Sequence, residues 1–206
     1  MIMKKQILRV VIFSSLIATG AGISTMTYAD GTNSLDLTVN ANITAGTCSA
    51  SVVEGDTITD TIAFGNVYIS EVYAKSKIKP FKLRFSDCVG LKDKKAKFRL
   101  ASNNVACPGS SGTDGQFANA STSTTKAAMV AMEVWTTETP GGTGAVKLHC
   151  WSKPEQTVDL SGASVTTPVD FPLSAMMVAQ SGGTLQNMTA GDFYSPTTFT
   201  ITYQQW

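Results

Sequence analysis

The chain has 206 residues, with 16 Lys and Arg residues against 15 Asp and Glu residues, so its formal net charge at pH 7 is +1. A chain this close to neutral lacks the markedly basic surface that nucleic acid selects, and we expect no nucleic-acid partner. Hydrophobic residues make up 43% of the chain, which at this length suffices for one buried core.

Residues 1–29 have the pattern of a cleavable signal peptide. Lys4, Lys5 and Arg9 form a positively charged start, and a short apolar core follows at 10–18. This core is too short to span a bilayer, and the triplet Thr-Tyr-Ala at 27–29 suits signal peptidase. We therefore predict export, with cleavage after Ala29.

The next segment, residues 30–46, is predicted to be an extension that contains one strand. Apolar residues occupy every second position of it: Leu35, Leu37, Val39, Ala41 and Ile43. The residues between them are polar, so the period of two predicts a strand with one apolar face. A second alternating run lies at the other end of the chain. The two runs suggest terminal strands that are made to pair, including with another molecule.

Residues 47–206 are predicted to form one β-sandwich domain. Short alternating or apolar runs are separated by Gly, Ser, Thr and Asn, and no long window shows a helical period. The predicted strands are 35–43, 48–53, 57–64, 79–85, 95–100, 128–136, 145–150, 156–160, 172–179 and 197–203. The stretches 107–115 and 116–128 are predicted loops. Many short strands with turns between them are typical of an all-β sandwich.

Most of the cations lie at 75–99. Within this segment Lys82 and Arg84 alternate with Phe81, Leu83 and Phe85. This alternation predicts the solvated face of a strand rather than an anion-binding patch. Lysines along a strand also discourage edge-to-edge aggregation.

Four cysteines in an exported chain predict two disulfides, for which three connectivities exist. The spacings favour Cys48–Cys88 and Cys107–Cys150, each of which closes a loop of similar length. A metal site is disfavoured, because the sequence has no CxxC motif and a single histidine.

The sequence gives little support to catalysis. His149 is the sole imidazole, and there is no GxSxG nucleophile motif, phosphate loop or dinucleotide fingerprint. We predict no catalytic residues, no cofactor and no enzyme activity. Trp135, Trp151 and Trp206 are candidates to stack on sugars, although buried or rim tryptophans are the commoner case.

The C-terminal segment 191–203 begins with a turn at Gly191 and ends as a strand. Phe199, Ile201 and Tyr203 lie on one predicted face of this strand, and threonines lie on the other. This is the second alternating run of the chain.

Three groups of residues occur in a specific order and spacing. The first is the alternating run 35–43 with Cys48, and the second is the strand 80–88, which ends in Cys88. The third comprises Phe-Pro-Leu-Ser-Ala at 171–175, Gly-Gly at 182–183, and the segment from Gly191 to Tyr203. With these residues the chain resembles subunits of chaperone–usher fimbriae, the type 1 pilin family of Gram-negative bacteria, over essentially all of its mature length.

The resemblance implies an incomplete immunoglobulin-like β-sandwich that lacks its final strand. A groove would lie open along the C-terminal strand, lined by Gly191, Phe199, Ile201 and Tyr203. A periplasmic chaperone would first lend a strand, and the next subunit's extension would then replace it, with an outer-membrane usher as a further partner. The residues of the donor strand would be Leu35, Leu37, Val39, Ala41 and Ile43. The protein is therefore expected to travel through the periplasm into a fimbrium on the cell surface.

The chain departs from the family pattern in several places. Ala41 stands where the family usually has Gly, seven residues before the first Cys. Gln204-Gln205-Trp206 follow Tyr203, where the family chain commonly stops one residue after the Tyr. The second cysteine pair and the insertion at 104–126 indicate a minor or specialised subunit.

Two other functions compete with a structural role. One is a minor adhesin subunit that binds a host glycan through Trp151 and the 107–126 loop. The other is a secreted β-sandwich enzyme or carbohydrate-binding module. The leading prediction is a fimbrial subunit that polymerises by donor-strand exchange.

Overall fold

The computed structural model describes residues 35–44 by their backbone and residues 48–91, 94–103, 105–109 and 115–203 with their side chains. The predicted signal peptide 1–29 and the Gln204-Gln205-Trp206 tail lie outside the described residues.

Nearly all regular structure in the described part of the chain is β. The strands are β1 (Leu35–Thr44), β2 (Ser49–Glu54), β3 (Thr57–Ile58), β4 (Thr61–Ala63), β5 (Ile78–Ser86), β6 (Lys95–Ser102), β7 (Phe117–Ala118), β8 (Val130–Trp135), β9 (Lys147–Leu148), β10 (Gln156–Asp159), β11 (Val169–Ala179), β12 (Phe193–Tyr194) and β13 (Thr197–Tyr203). One short helix, α1 (Ile69–Tyr73), lies between β4 and β5. Over the ranges given above, no helix has the length and hydrophobicity needed to cross a membrane.

The strands form two sheets that enclose one core. The first sheet runs β10-β6-β13-β1, with β12 and β4 also paired to β1, and the second runs β3-β2-β5-β11-β8-β7, with β9 on β8. Both sheets contribute large, fully buried side chains, among them Phe81, Phe85, Phe98, Phe117, Phe199, Leu83, Leu100 and Met132. The predicted all-β, immunoglobulin-like sandwich is thus confirmed.

Strand β5 follows the alternation that its sequence predicts. Phe81, Leu83 and Phe85 are buried, whereas Lys82 and Arg84 are only half-buried on the outer face. Arg84 donates two hydrogen bonds to Asp170 of β11, at 2.7 and 2.8 Å. These bonds hold the pKa of the Asp170 carboxyl below its ordinary value. The cations of this strand therefore join β5 to β11 on the outer face of the second sheet.

Both disulfides join the partners that the spacings favour. Cys48–Cys88 ties the start of β2 to the end of β5, and Cys107–Cys150 ties the segment before β7 to the residues after β9. Cys48 and Cys150 are both buried. In the chain-entropy model, each disulfide adds about 4 kcal/mol to the stability of the fold, because it closes a loop in the unfolded chain.

Tyr203, the last residue of β13, is anchored next to the first disulfide. Its hydroxyl donates a hydrogen bond to the Cys48 carbonyl oxygen at 3.3 Å, and its ring meets Phe85 edge-on at 6.4 Å. Burial raises the pKa of the Tyr203 hydroxyl to about 12. The two sheets are therefore linked at this end of the sandwich by a neutral phenol.

The structure divides one predicted strand and adds short elements. The run 57–64 becomes β3 in the second sheet and β4 in the first, because the Thr59 side chain turns the chain through hydrogen bonds to the backbone of Thr61. The predicted strand 145–150 is reduced to β9. Elements α1, β7 and β12 have too few residues to produce a readable period in the sequence.

Alkaline pH should destabilise the fold through Tyr203. An unfolded tyrosine ionises near pH 10, whereas the folded-state pKa is about 12. Between these values the unfolded state binds fewer protons, so this contribution is fully present below about pH 10 and is lost as the pH rises toward about 12. In urea unfolding, Tyr203→Phe should remove this loss and should cost about 1 kcal/mol at neutral pH.

The matched control is Tyr73→Phe, because Tyr73 is 52% exposed. This variant should keep the alkaline loss of the wild type. Lysines also titrate in this pH range, so the test compares the alkaline loss of stability in each variant with that of the wild type. An unchanged alkaline slope in Tyr203→Phe would contradict the role of Tyr203.

The two disulfides should contribute unequally to stability. Their sequence separations are 40 and 43 residues, so the chain-entropy contributions are nearly equal. Replacing Cys48 and Cys88 with Ala should nevertheless lower the urea midpoint more than replacing Cys107 and Cys150. Only the first pair joins β2 to β5 and positions the carbonyl that holds Tyr203. Equal midpoints for the two double variants would refute this ranking.

Candidate functional site

Strand β1 lies inside the first sheet and is paired on both of its edges. Residues Val39–Thr44 run parallel to β13, and Leu35–Asp36 run parallel to β12. On the other edge, Asp36–Thr38 pair antiparallel with Thr61–Ala63 of β4. The predicted extension therefore joins two parts of one sheet.

Strands β12 and β13 form a single interrupted edge beside β1. Leu35 is level with Phe193 and Val39 is level with Thr197, which is one continuous register across the break at Ser195–Pro196. Asp36 pairs with Tyr194 and also with Ala63, so β4 must lie on the opposite edge. The order across the sheet is thus β6, then β13 and β12, then β1, then β4.

Without β1 this sheet would contain a groove one strand wide. Its walls would be the edges of β13 and β12 on one side and of β4 on the other. Each wall would present unpaired backbone N–H and C=O groups. Ile62 of β4, Phe64 just after it, and Phe199 and Ile201 of β13 are all buried. The groove would therefore be apolar at its base.

The register places the apolar residues of the extension beside core-facing positions. The matched pairs are Leu35 with Phe193, Leu37 with Ile62, Val39 with Thr197, Ala41 with Phe199, and Ile43 with Ile201. All five partner residues are buried. Paired residues of adjacent strands lie on the same face of a sheet. The backbone pairing thus agrees with the apolar face that the sequence predicts for β1.

Strand β13 supplies most of the wall and alternates strictly. Phe199, Ile201 and Tyr203 are buried, whereas Thr198 and Thr200 are half-buried. The ring of Phe199 meets that of Phe98 in β6 at 5.6 Å. The predicted apolar face of this strand is confirmed.

Gly191 permits a close contact just before β12. A Cβ atom at this position would collide with the carbonyl oxygen of Thr125. Asp192, the next residue, donates its N–H to that oxygen at 2.9 Å, and Lys126 forms a parallel bridge with Asp192. Gly191 therefore allows the segment around Thr125 to approach β12.

Asn119 is a residue of this region that sequence reasoning missed. Its side chain is buried and its amide makes four hydrogen bonds. The nitrogen donates to the carbonyl oxygens of Ala127 and Asp192, at 3.0 and 2.8 Å. The oxygen accepts from the N–H groups of Ser121 and Tyr194, at 2.9 and 3.1 Å. The sequence around it indicates only a polar loop.

A small apolar cavity of about 70 Å³ lies at the end of the groove where β1 begins. Its lining includes Val67, Val72, Val130, Met177, Gly191 and Phe193. The cavity therefore lies between β12, α1 and the second sheet.

The residues considered for catalysis or sugar binding lie elsewhere. His149 Nδ1 accepts hydrogen bonds from the N–H groups of Trp151 and Ser152, at 3.2 and 3.3 Å, and so stabilises a turn. Trp151 is 42% exposed and donates its ring N–H to the Pro108 carbonyl oxygen at 3.3 Å. Trp135 is half-buried and donates to the Glu133 carboxylate at 3.2 Å. Across the side chains that the structure describes, no three His, Cys, Asp or Glu residues are placed to hold a metal ion.

Comparison with known proteins places the chain in a family. No family model matches it. The chain is 41% identical over 197 residues to the uncharacterised fimbrial-like protein YadL of Escherichia coli (strain K12), which covers 95% of this chain and 96% of that protein. Among solved structures, the CupB6 tip adhesin from Pseudomonas aeruginosa matches with a TM-score of 0.44 and 18% identity. The match covers 63% of this chain and 31% of the adhesin chain. An identity of 41% along nearly the whole of both sequences confirms the resemblance, and the chain therefore belongs to the family of fimbrial-like proteins.

Proposed function

We propose that this chain is a structural subunit of an adhesive fimbria and polymerises by donor-strand exchange. The extension of one copy would fill the groove between β13 and β4 of a neighbouring copy. The observation that carries the proposal is the position of β1, which among the described strands alone links β13 to β4. The sheet is therefore complete only when a strand occupies the position between β13 and β4.

The connection of β1 to the domain makes exchange feasible. Its C-terminal end leads through residues 45–47 to Cys48, where the disulfide-linked sandwich begins. If the signal peptide is cleaved after Ala29, as we propose, this is the only covalent attachment of the strand. A strand attached at one end can leave and be replaced without threading the chain through a loop.

The energetics favour a groove that is filled at every stage. Burying four large aliphatic side chains of the extension contributes on the order of 6–12 kcal/mol, before ordering costs. Each backbone hydrogen bond of the two edges adds about 1 kcal/mol. An empty groove would expose these edges to aggregation. We therefore propose a periplasmic chaperone, an outer-membrane usher and neighbouring subunits as successive partners.

Strand β1 has opposite directions relative to its two neighbours. Within one chain β1 runs parallel to β13. It runs antiparallel to β4, so a neighbour's extension in the same direction would keep the eight parallel pairs with β12 and β13 and the three antiparallel pairs with β4. A neighbour's strand can therefore replace the chain's own strand in the same register, without any change in the sandwich.

The proposed location follows from export. Two disulfides form and persist in an oxidising compartment such as the periplasm. We propose passage through the periplasm and assembly into a fimbrium on the cell surface. The second disulfide and the insertion at 104–126 support a minor or specialised subunit.

A glycan-binding role is the second candidate, and Trp151 is the observation that favours it. This side chain is 42% exposed beside the second disulfide, and its ring N–H is held by Pro108. A fixed, partly exposed indole is suited to stacking on a sugar ring. Loss of binding on a glycan array in Trp151→Ala, with unchanged assembly, would support this role.

Deleting residues 30–44 should block assembly at the position of the truncated subunit. The groove beside Phe199, Ile201 and Tyr203 would remain and should still accept the chaperone strand. The truncated chain should co-purify with the chaperone but be absent from fibres sheared from cells, as measured by immunoblot. Incorporation at the wild-type level would refute donor-strand exchange.

A single charge should have a similar effect if it lies on the core-facing side. Val39 is level with the buried Thr197, whereas Asn40 is level with the half-buried Thr198. Val39→Asp should reduce incorporation into fibres by about tenfold or more, because an unpaired carboxylate is costly to bury. Asn40→Asp adds the same charge at the adjacent position and should assemble almost normally. Equal behaviour of the two variants would show that the register does not apply in the fibre.

A further inference from the structure

Strand β12 is supported on the side away from β1 by residues 119–127, which we call the clasp. Ala120 N–H donates to the Tyr194 carbonyl oxygen at 2.6 Å, and Ala127 N–H donates to that of Asp192 at 3.0 Å. Asp192 N–H in turn donates to the Thr125 carbonyl oxygen at 2.9 Å. The clasp thus lies along β12 as a neighbouring strand would.

The clasp takes a place that β6 cannot fill. Strand β6 ends at Ser102, which is level with Thr197 at the start of β13. Beyond this point Asn103 N–H donates to the Pro196 carbonyl oxygen at 2.9 Å, and Pro196 itself has no N–H to donate. Within the described chain, only the clasp pairs with the side of β12 that faces away from β1.

Asn119 fixes the clasp to β12. Its amide bonds to the Asp192 carbonyl oxygen and the Tyr194 N–H, which flank Phe193 on both sides. Two further bonds, to Ala127 and Ser121, tie the same amide to the clasp. An amide with two donated and two accepted bonds is fully satisfied, so it holds a single geometry.

We infer that the clasp lengthens the acceptor groove past Pro196, with Asn119 as its positioning residue. This inference rests on the proposed donor-strand function. The register contains six pairs between β1 and β13 and two more between β1 and β12. A groove that ended at Pro196 would pair only with the part of the donor strand that lies beside β13. The extended groove selects a donor strand that reaches Phe193 and presents an apolar residue level with it, as Leu35 does here.

Hydrogen exchange on the full chain tests the clasp directly. In Asn119→Ala, amide protection at residues 35–36 and 193–194 should fall by about tenfold, since the backbone of β12 loses its fixed partners. Protection at 39–44 and 197–202 should remain within about twofold, because β13 keeps β6 as its neighbour. A uniform fall across both groups would overturn the inference, since it would indicate a merely structural loss.

Gln116→Ala is the matched control. Gln116 is also a buried amide, and it donates to the Ala179 carbonyl oxygen and accepts from Ser181 N–H, each at 3.0 Å. It supports the end of β11 and does not contact β12 in these bonds. Gln116→Ala should therefore leave the protection of 35–36 and 193–194 unchanged.

Thr125→Val keeps the test decisive if Asn119→Ala does not fold. The Thr125 side chain is exposed and its hydroxyl donates to the Asp192 carboxylate at 2.7 Å. Valine has nearly the same shape, so the variant should fold and lower protection at 35–36 and 193–194 by about threefold. Unchanged exchange at these four residues would overturn the inference.

Donor selection is measured with two synthetic peptides, with the sequences of residues 35–45 and 39–45. The full wild-type chain should release the longer peptide about tenfold more slowly than the shorter one, and Asn119→Ala should remove this difference. Equal release by the wild type would overturn the longer groove. Failure to capture either peptide would instead count against the proposed donor-strand function, while the exchange experiment still decides whether the clasp holds β12.

Discussion

The structure depends on the backbone pairing of the edge of β13 that faces away from β6. Phe199 and Ile201 on this strand are fully buried. Without a strand beside this edge, its backbone N–H and C=O groups would lose their partners and the apolar side chains next to them would be exposed to water. Strand β1 satisfies this edge and, through its other side, connects β4 to the sheet. The arrangement of the groove, the clasp and the N-terminal extension follows from this requirement.

The two sheets differ in how they are completed. All strands of the second sheet come from residues 49–179, and its central strand β5 is bound by the Cys48–Cys88 disulfide and by the Arg84–Asp170 ion pair. The first sheet needs β1 to join its parts. A sandwich with one self-sufficient sheet can keep its core while the other sheet changes its partner strand. This combination is compatible with the proposed transfer of the subunit from a chaperone to a fibre.

Sequence patterns identified the elements that have a long period and a clear contrast between faces. Strands β5 and β13 are examples, because burial alternates along them as their residues do. The pairing partner and direction of β1 were not predictable, since an alternating strand has the same pattern in either orientation. Asn119 was missed because its partners Asp192 and Tyr194 lie 73 and 75 residues away, and such contacts leave no local pattern. Strand β12 was missed because two residues show no period.

The pairing of β1 on both edges has a mechanical consequence. If a neighbour's extension occupies this position, a pull along the fibre acts along the strand, at a large angle to its hydrogen bonds. The bonds to β13, β12 and β4 are then loaded together in shear, and sliding requires many of them to break at once. A pull across the strand would instead break these hydrogen bonds one after another. A junction of this kind resists axial tension, such as drag on a tethered cell, far better than it resists peeling.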